Sequence, residues 1–393
     1  MARRGRPSSP APTPPPPPDN DDILSEILLR LAPAPSSLPR ASLVCKRWRR
    51  LVTDPAFLRR FRARHRRGAP LLGFFTDGKR VRGVLFTPTL EPPDRLPRGC
   101  FSFQPADEWR ILSCRHGLVL LIHSEQLQVL VWDPVTGDQR RIAVPPGLLT
   151  REGMMVIDGA VLRATGDVHG GTDTQSSTFQ VVLLCSELEF SRAFACVYSS
   201  ENGVWSDPLS ISYPPMFVTN IPSALVGSSL YWYLIGDSAA ILEFDLDRQR
   251  LALIDMPYGY EMPFNFCLIP ADGGVLGFLC VSNHDVYLWK RTTDGGGAAV
   301  WVLDRTIELN NLLPLSSHEA LKIHGFAEDG KVLLIGTTDC IFTIQLESMK
   351  FARFSIHLAS LNSSICHPFS SVYTSGMGLG DEQENELLLD TSH

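Results

Sequence analysis

Histidines and cysteines are the residues most often used for metal binding and nucleophilic chemistry, and here their spacing forms no such site. The chain has 10 histidines and 9 cysteines in 393 residues. No histidine lies in an H-E-x-x-H motif or pairs with a cysteine at a zinc-ligand spacing, and no C-x-x-C pair occurs. We therefore expect His324 and His357 to be structural. The odd number of cysteines favours reduced thiols in an intracellular protein.

Two short motifs partly match signatures of enzymes. Arg115-His116-Gly117 is similar to the R-H-G of histidine phosphatases, but an apolar strand follows it instead of the second Arg and the Pro of that motif. Gly376-Met-Gly-Leu-Gly380 is rich in glycine but has no strand before it and no helix after it, as a dinucleotide site would. Hydrolase, P-loop and kinase motifs are also missing from the sequence. The sequence predicts a protein that is not an enzyme and needs no metal ion or organic cofactor.

A third feature that could bind a ligand is a block of arginines. Its members are Arg59, Arg60, Arg62, Arg64, Arg66 and Arg67. Residues 1–67 hold 15 Lys/Arg against 5 Asp/Glu, whereas residues 68–393 hold 21 against 37. Such a block could contact the phosphates of a nucleic acid, but it lacks interleaved aromatic side chains and any groove-reading motif. We favour a solvated face, or a surface complementary to an acidic protein assembly, over nucleic-acid binding.

Helical periodicity begins just after the N-terminal Pro-rich stretch. Apolar residues at spacings of one, three and four form a single stripe, which predicts a short helix. They are Ile23, Leu24, Ile27, Leu28 and Leu31. Asp21 or Asp22 is placed to cap this helix, and Pro33 and Pro35 end it.

Two further helices are predicted before residue 69. The second has Pro39 near its first position and continues past Trp48. Asp54 and Pro55 supply an N-cap and an N1 proline for the third helix, which Gly68 ends. Three helices in about 45 residues form a bundle near the size at which a core alone is marginal. We therefore expect part of its apolar surface to be an interface.

From Ala69 onward, short strand patterns bounded by Gly, Pro, Asp or Asn replace the helical ones. The clearest unit has strands at 117–123, 127–132 and 141–144, with a tight turn at 133–138. Less regular units recur at 194–205, 229–254, 275–303 and 331–354. Units of three or four strands every ~40 to 50 residues are typical of a β-propeller. The sequence predicts an all-β propeller of about six blades, with seven as the alternative count and a pair of β-sandwiches as the competing fold.

The predicted order is a disordered Pro-rich tail at 1–19, a small all-α bundle at 20–67, the propeller at 68–375 and a flexible acidic tail at 376–393. The longest apolar runs have the length of a strand rather than the ~20 residues that span a bilayer. The N-terminus lacks the apolar segment of a signal peptide. We expect no membrane association and a cytoplasmic or nuclear protein.

The helical segment resembles the F-box. The resemblance rests on Asp22–Leu31, on Leu38–Val52 with its Val-Cys-Lys-Arg-Trp core, and on Asp54–Leu58. The strand-rich region is similar to the propeller-type F-box-associated domain of large plant F-box families, through Trp132-Asp-Pro-Val-Thr-Gly137 and Leu230-Tyr-Trp232. Together the two resemblances cover about nine-tenths of the chain and imply a plant F-box protein with a propeller.

The resemblance implies a function in ubiquitin transfer. The F-box would bind the Skp adaptor, and through it the cullin, of an SCF (Skp, cullin, F-box) ubiquitin ligase, while the propeller would hold a target protein. The implied adaptor interface comprises Ile23, Leu24, Ile27, Leu28, Leu31, Leu38, Leu43, Val44, Cys45, Trp48 and Leu51. Some of these must hold the bundle together, and those favoured as contacts are Leu24, Leu28, Val44, Cys45 and Trp48. The Leu-Pro that commonly precedes the first helix in this family is replaced here by Pro18-Asp19-Asn20-Asp21, which removes one apolar contact.

Two other functions remain open at this stage: an F-box protein that binds the adaptor outside a ligase, and a nucleic-acid-associated scaffold that uses the arginine block. A target protein held by the propeller is expected on one rim of the ring, where loops cluster. Candidate loops are Gly166–Ser177 and Asp294–Gly297.

Overall fold

A computed structural model describes most of the chain between residues 20 and 374. The described residues are 20–77, 83–97, 99–101, 103, 109–145, 148, 154–163, 178–187, 191–219, 221–236, 239–257, 265–315, 320–337, 340–355 and 365–374. The tails predicted at 1–19 and 376–393, the glycines at 376–380, the candidate loop at 166–177 and His357 all lie outside these residues.

The N-terminal bundle contains four short helices, one more than the sequence predicted. They are α1 (Asp21–Leu28), α2 (Ser37–Ser42), α3 (Lys46–Thr53) and α4 (Pro55–His65), and a 3₁₀ turn, Arg66–Gly68, follows α4. The predicted second helix is divided into α2 and α3. The division occurs because Cys45 is extended, with φ −163° and ψ 168°, and its Sγ accepts a hydrogen bond from the Trp48 amide at 3.5 Å. Cys45 is therefore the N-cap of a new helix.

The N-cap of α1 is Asn20, so the prediction of Asp21 or Asp22 was wrong. The Asn20 Oδ1 accepts a hydrogen bond from the Asp22 amide at 2.8 Å. The Asp21 carboxylate instead accepts from Arg47 Nε at 2.6 Å and from Arg50 Nη2 at 2.7 Å. The hydrogen bond from Arg47 is the main reason that the pKa of Asp21 lies below its usual value. This carboxylate ties the start of α1 to α3.

The start of α4 follows the prediction. Asp54 Oδ1 accepts a hydrogen bond from the Phe57 amide at 2.9 Å, and Pro55 occupies the first turn. Phe57 and Phe61 stack with ring centroids 6.1 Å apart. His65 Nε2 lies 2.8 Å from a carbonyl oxygen just after α1, so α4 also closes the bundle at its other end.

The rest of the described chain forms six antiparallel sheets arranged as the blades of a propeller. Blade 1 contains β1 (Leu71–Asp77), β2 (Val84–Pro88) and β25 (His367–Ser370). Blade 2 contains β3 (Arg110–Arg115), β4 (Leu118–His123), β5 (Gln128–Trp132) and β6 (Gln139–Ala143). Blade 3 contains β7 (Met154–Arg163), β8 (Phe179–Glu187), β9 (Arg192–Ser199), β10 (Val204–Trp205) and β11 (Leu209–Ser212).

Blade 4 contains β12 (Met216–Val218), β13 (Ala224–Val226), β14 (Ser229–Gly236), β15 (Ala239–Asp245) and β16 (Arg250–Asp255). Blade 5 contains β17 (Phe266–Ala271), β18 (Val275–Ser282), β19 (Asp285–Thr293) and β20 (Ala299–Glu308), and a one-turn helix, α5 (Leu309–Leu312), follows it. Blade 6 contains β21 (Lys322–Ala327), β22 (Val332–Gly336), β23 (Cys340–Gln345) and β24 (Phe351–Ser355). The prediction of a small helical bundle followed by a six-bladed propeller is confirmed.

The ring is closed by pairing its first strand with its last. In blade 1, β1 pairs with β25, with Phe74 opposite Pro368 and Phe75 opposite His367. Neighbouring blades meet through their inner strands: β25 contacts β3 and β21, β3 contacts β7, and β17 contacts β13 and β21. These inner strands surround the central channel. The blades bury both of their faces, and every residue of β4 is buried.

Candidate functional site

The break between α2 and α3 exposes three consecutive residues of the bundle. Leu43 and Val44 are 75% and 61% exposed, the largest exposures among the large apolar side chains of the described residues. Cys45, which follows them, is also exposed. The amides of Leu43 and Val44 bond to the carbonyls of Arg40 and Ala41 at 3.2 Å each, so the backbone of this segment is fixed. The break therefore presents two ordered apolar side chains to solvent.

The outer face of α1 adds a second pair of exposed apolar residues. Ile23 and Ile27 lie four residues apart, on one side of the helix, and each is 48% exposed. Leu24 and Leu28 each follow one of these residues, about 100° further round the helix, and are buried. The ion pairs of Asp21 hold the N-terminal turn of α1 against the first turns of α3, which begins directly after the break.

The eleven residues predicted for the adaptor interface fall into three groups. The exposed group is Ile23, Ile27, Leu43, Val44 and Cys45. The half-buried group is Leu31, Trp48 and Leu51, which pack against the core of the bundle. The buried group is Leu24, Leu28 and Leu38. Of the five favoured contacts, Val44 and Cys45 are exposed, Trp48 is half-buried, and Leu24 and Leu28 are inside the bundle with almost no free surface.

The propeller completes the core of the bundle. Val372, two residues after β25, is 4% exposed and packs with the helical residues; the buried helical members of this cluster are Leu24, Leu28, Leu29, Leu38, Ala41, Val52, Phe57 and Phe61. Two polar contacts join the same parts of the chain: the Ser36 amide donates to Asp94 Oδ1 at 2.9 Å, and Arg62 Nη1 donates to Thr374 Oγ1 at 3.2 Å. Part of the support that a bundle of this size needs therefore comes from within the same chain.

A second candidate site is the mouth of the central channel, where a buried ion pair crosses the ring. Arg115, at the end of β3, donates from Nε to Glu328 Oε2 at 3.0 Å and from Nη2 to Glu328 Oε1 at 2.9 Å. It also donates to the hydroxyl of Ser223 at 3.2 Å and to the carbonyl of the same residue. Glu328 Oε1 accepts a further bond from the Leu225 amide at 2.9 Å. Inner strands of blades 2, 4 and 6 are thus tied together across the channel.

Arg115 and Glu328 neutralise each other at this mouth. Burial lowers the pKa of Arg115, but the charge of Glu328 and their hydrogen bond outweigh burial and raise it above its usual value. Asp329, which also lines the channel, has its pKa raised to about 6 by burial and by the neighbouring Glu328. The same cavity is also lined by apolar residues, among them Phe266, Ile323 and Phe369.

Arg115-His116-Gly117, the motif similar to a phosphatase signature, forms a tight hairpin turn. His116 and Gly117 both have positive φ, 53° and 73°, as a type I′ turn between β3 and β4 requires. His116 Nδ1 accepts a hydrogen bond from the Arg163 amide at 3.3 Å. Burial and the charge of Arg115 lower the pKa of His116 to about 4, so its imidazole is neutral at neutral pH. These contacts give the motif a structural role in the ring.

Among the described residues, no group of three His, Cys, Asp or Glu side chains is placed to hold a metal ion. All 9 cysteines belong to the described part of the chain and are free thiols, and His324 is buried within blade 6. No helix in the described ranges has the length and apolar character needed to cross a membrane. The candidate loop Asp294–Gly297 is the tight turn between β19 and β20, in which Asp294 Oδ1 accepts from the amides of Gly296 and Ala298 at 2.9 and 2.8 Å.

Comparisons with known proteins match both parts of the chain. Residues 21–64 match the F-box-like family, and residues 110–374 match the family described as F-box protein AT5G49610-like, beta-propeller. F-box protein At3g26010 of Arabidopsis thaliana is 23% identical over 320 residues, covering 76% of this chain and 71% of that protein. F-box protein At5g03970 of the same plant is 22% identical over 287 residues, covering 69% of this chain and 65% of that protein. Among solved structures, the Dos1 propeller matches with a TM-score of 0.40 at 10% identity, covering 76% of this chain and 75% of that one.

Proposed function

Since the chain belongs to the F-box family with an AT5G49610-like β-propeller, we propose that it is the substrate-recognition subunit of an SCF-type ubiquitin ligase. The F-box bundle would bind a Skp-type adaptor and, through it, a cullin. The propeller would bind a target protein. The chain would act in the cytoplasm or the nucleus.

The observation that carries this proposal is the exposure of Leu43 and Val44 in the break before α3. Ordered apolar side chains that protrude from a small domain are typical of a surface that another protein covers. Ile23 and Ile27 extend the surface along α1. We call these four residues together with Cys45 the adaptor face. Leu24, Leu28 and Leu38 would support this face from inside the bundle rather than touch the adaptor.

The proposed mechanism requires no bond chemistry by this chain. A receptor that holds a target beside the ubiquitin-conjugating enzyme raises the effective concentration of the target lysine. The contacts of Val372 and Thr374 with the bundle fix the adaptor face relative to the propeller, which suits a receptor of this kind. Neither a metal ion nor an organic cofactor has a part in this proposal.

The double substitution Leu43→Asp with Val44→Asp tests the adaptor face. It should weaken binding of a purified Skp adaptor by at least about tenfold, because two apolar side chains worth ~1.5 kcal/mol or more each would be lost from the interface. Both side chains are exposed, so the bundle should remain folded. The matched control is Val302→Asp with Leu303→Asp on β20, where the side chains are 42% and 44% exposed. The control should bind the adaptor like the unchanged protein, and unchanged binding by the first variant would contradict the proposal.

A pull-down from cells distinguishes a ligase subunit from an F-box protein that acts outside a ligase. When the unchanged chain is captured from plant cells whose proteasome is inhibited, adaptor and cullin should both be recovered. Recovery of the adaptor without cullin would favour the second function. Targets should accumulate in the same sample, because their degradation is blocked.

A further inference from the structure

The outer face of α4 carries three arginines, and the helix contains no Asp or Glu. At about 100° per residue, positions 59, 60 and 64 fall within one arc of the helix surface, together with two exposed alanines. Arg59, Arg60 and Arg64 are all exposed. Arg60 forms an ion pair with Glu26 of α1. Among the described residues, Arg59 and Arg64 have no hydrogen-bond or ion-pair partner. We call these three arginines the arginine face.

The bundle has too few acidic groups to neutralise the arginine face. Residues 20–67 hold 12 Lys/Arg against 4 Asp/Glu. Of these four acids, Asp21 bonds to arginines of α3, Glu26 pairs with Arg60, and Asp54 caps α4. The fourth is Asp22, near the start of α1. Most of the anions that could pair with this face must therefore come from outside the bundle.

The chain leaves the ring beside this face. Thr374, the last described residue, accepts a hydrogen bond at Oγ1 from Arg62 Nη1 at 3.2 Å. Arg62 lies three residues after Arg59, so the two are neighbours on the surface of α4. Val372, just before Thr374, packs in the core of the same bundle. The residues that follow Thr374 therefore begin next to α4.

The sequence after Thr374 has the charge that the arginine face lacks. Residues 381–390 read Asp-Glu-Gln-Glu-Asn-Glu-Leu-Leu-Leu-Asp, and residues 375–393 contain no Lys or Arg. We call residues 381–390 the acidic segment. Its first residue lies seven positions beyond Thr374, which an extended chain spans with up to ~23 Å. Positions 59 to 64 cover only ~8 Å along the helix. The acidic segment can therefore reach the whole face.

We propose that the acidic segment binds the arginine face of α4 within the same molecule. Arginine suits this role because its planar fork of N–H donors matches a carboxylate in a bidentate pair. One exposed pair contributes less than about 1 kcal/mol. A segment tethered beside its site, however, has an effective concentration of the order of millimolar, so that several weak pairs together keep it bound. The inference goes beyond the proposed ligase function and does not depend on it.

Such binding would make the arginine face a regulated surface. An acidic partner protein or a nucleic acid would reach Arg59 and Arg64 only by displacing the acidic segment. The segment would also add a link between bundle and ring, because it continues from β25, which closes the ring. Salt should weaken the contact steeply, since the screening length falls from ~30 Å at ~0.01 M to ~3 Å at ~1 M.

The test measures how fast Arg59 and Arg64 of the full chain react with phenylglyoxal, which modifies accessible guanidinium groups, with peptide mass spectrometry as the readout. In the segment-neutral variant every carboxyl of the acidic segment becomes an amide: Asp381→Asn, Glu382→Gln, Glu384→Gln, Glu386→Gln and Asp390→Asn. Both arginines should react at least about threefold faster in this variant at ~0.01 M salt, and the difference should disappear at ~1 M. Arg141 and Arg250, which are exposed on the ring, should react alike in both chains.

The matched control variant removes five exposed carboxyls of the ring instead: Glu125→Gln, Glu201→Gln, Asp207→Asn, Asp247→Asn and Asp255→Asn. It changes the net charge by the same amount and should leave the reaction of Arg59 and Arg64 unchanged. A reciprocal measurement follows the acidic segment itself. A protease specific for glutamate should cleave it about threefold faster in Arg59→Gln with Arg64→Gln than in Arg141→Gln with Arg250→Gln, because cleavage follows the population of the released segment.

Three results would overturn the proposal. Equal reaction of Arg59 and Arg64 in the unchanged chain and the segment-neutral variant would leave the arginine face open to a partner from outside. An equal acceleration in the ring control would reduce the effect to net charge. Protection that disappears on about tenfold dilution would mean that the segment comes from a second copy of the chain, because an intramolecular contact does not depend on concentration.

Discussion

The helical bundle and the propeller differ in how completely each of them buries its own core. The bundle has an interior that is apolar apart from Ser25, and it takes Val372 from the propeller while leaving Leu43 and Val44 in solvent. The propeller closes on itself through β1 and β25 and encloses ionised groups such as Arg115. The difference teaches that the bundle is open at its surface, where a partner can add to it, whereas the ring is complete without one.

The distribution of exposed apolar side chains follows this difference. Four of them, Ile23, Ile27, Leu43 and Val44, fall within one short stretch of the bundle. Those of the described ring are spread over several blades: Leu85, Leu127, Val204, Phe217, Leu253, Val302, Leu303 and Phe351. Scattered apolar residues are normal on a protein surface, whereas a cluster marks a place for a partner. The target that we propose for the ring would therefore be bound through loops and polar groups more than through one apolar patch.

The largest expected effect comes from breaking the ion pair inside the ring. Glu328→Gln would leave Arg115 charged in a site where its side chain is 7% exposed. Removing one partner of a buried pair costs about 3 kcal/mol, since the remaining charge is uncompensated. The free energy of unfolding, measured by urea denaturation with circular dichroism, should fall by that amount.

The control for this prediction is Asp272→Asn, which removes an exposed carboxylate from an ion pair with the half-buried Lys331. Pairs on the surface contribute less than about 1 kcal/mol, so this variant should be close to the unchanged chain. Equal losses for Asp272→Asn and Glu328→Gln would show that the pair across the channel does not stabilise the ring. The contrast between a closed ring and an open bundle would then be weakened.

An intermediate effect is expected where the two regions meet. Val372→Ala removes two methyl groups from the core of the bundle and should cost about 2 kcal/mol. Because Val372 belongs to the closing segment of the ring but packs with Leu28 and Phe61, the loss should appear in the bundle. Hydrogen exchange measured by mass spectrometry should become faster in α1 and α4 and stay unchanged in β4.

Val302→Ala on β20 is the matched control for this exchange measurement, because its side chain is 42% exposed and no core depends on it. It should leave exchange in the bundle unchanged. If Val372→Ala also left exchange in α1 and α4 unchanged, the bundle would be independent of the ring, and the closing segment would have no role in holding the adaptor face.

The sequence predicted the middle strands of the blades better than the innermost ones. Strands such as β4, β5 and β15 are continuous apolar or alternating runs, because they are covered on both faces. The inner strands were not predicted, although they define the channel. Asp158-Gly159 interrupts β7, Pro270 lies within β17, and the sequence of β25 is only His-Pro-Phe-Ser. Residues that line a channel or touch across it need not be apolar, so the usual strand signal is missing.

The candidate site was predicted in part for a similar reason. The apolar residues around the break were identified from their hydrophobicity, but periodicity alone predicted one continuous helix that included Leu43 and Val44. The break depends on Cys45 acting as an N-cap, which is unusual for cysteine. The contact of Val372 with the bundle and the pairing of Arg115 with Glu328, which are 213 residues apart, have no local sequence signal.

The smallest expected effect concerns pH and again involves only the ring. Asp158 accepts hydrogen bonds from the Gly159 amide and from Trp232 Nε1, each at 2.8 Å. Burial raises its pKa to about 7, although these bonds and nearby arginines lower it. Between pH 4 and pH 7 the folded chain therefore keeps a proton that the unfolded chain releases, and stability falls as pH rises through this window.

Asp158→Asn removes this titration while keeping an oxygen that can accept from Trp232. The change in stability from pH 6 to pH 8, measured by urea denaturation at both values, should be about 1 kcal/mol more negative for the unchanged chain than for the variant. Burial lowers the pKa values of His116 and His367 to about 4 and about 3, so these two groups reduce the stability of the folded chain as pH falls below the usual histidine pKa. Their contribution is the same in both chains and cancels in the comparison. Asp272→Asn, at an exposed carboxyl whose pKa is lowered, should match the unchanged chain at both pH values. Equal changes for the unchanged chain and Asp158→Asn would mean that Asp158 is already ionised in the folded ring, since only a protonated carboxyl inside the ring can produce the difference.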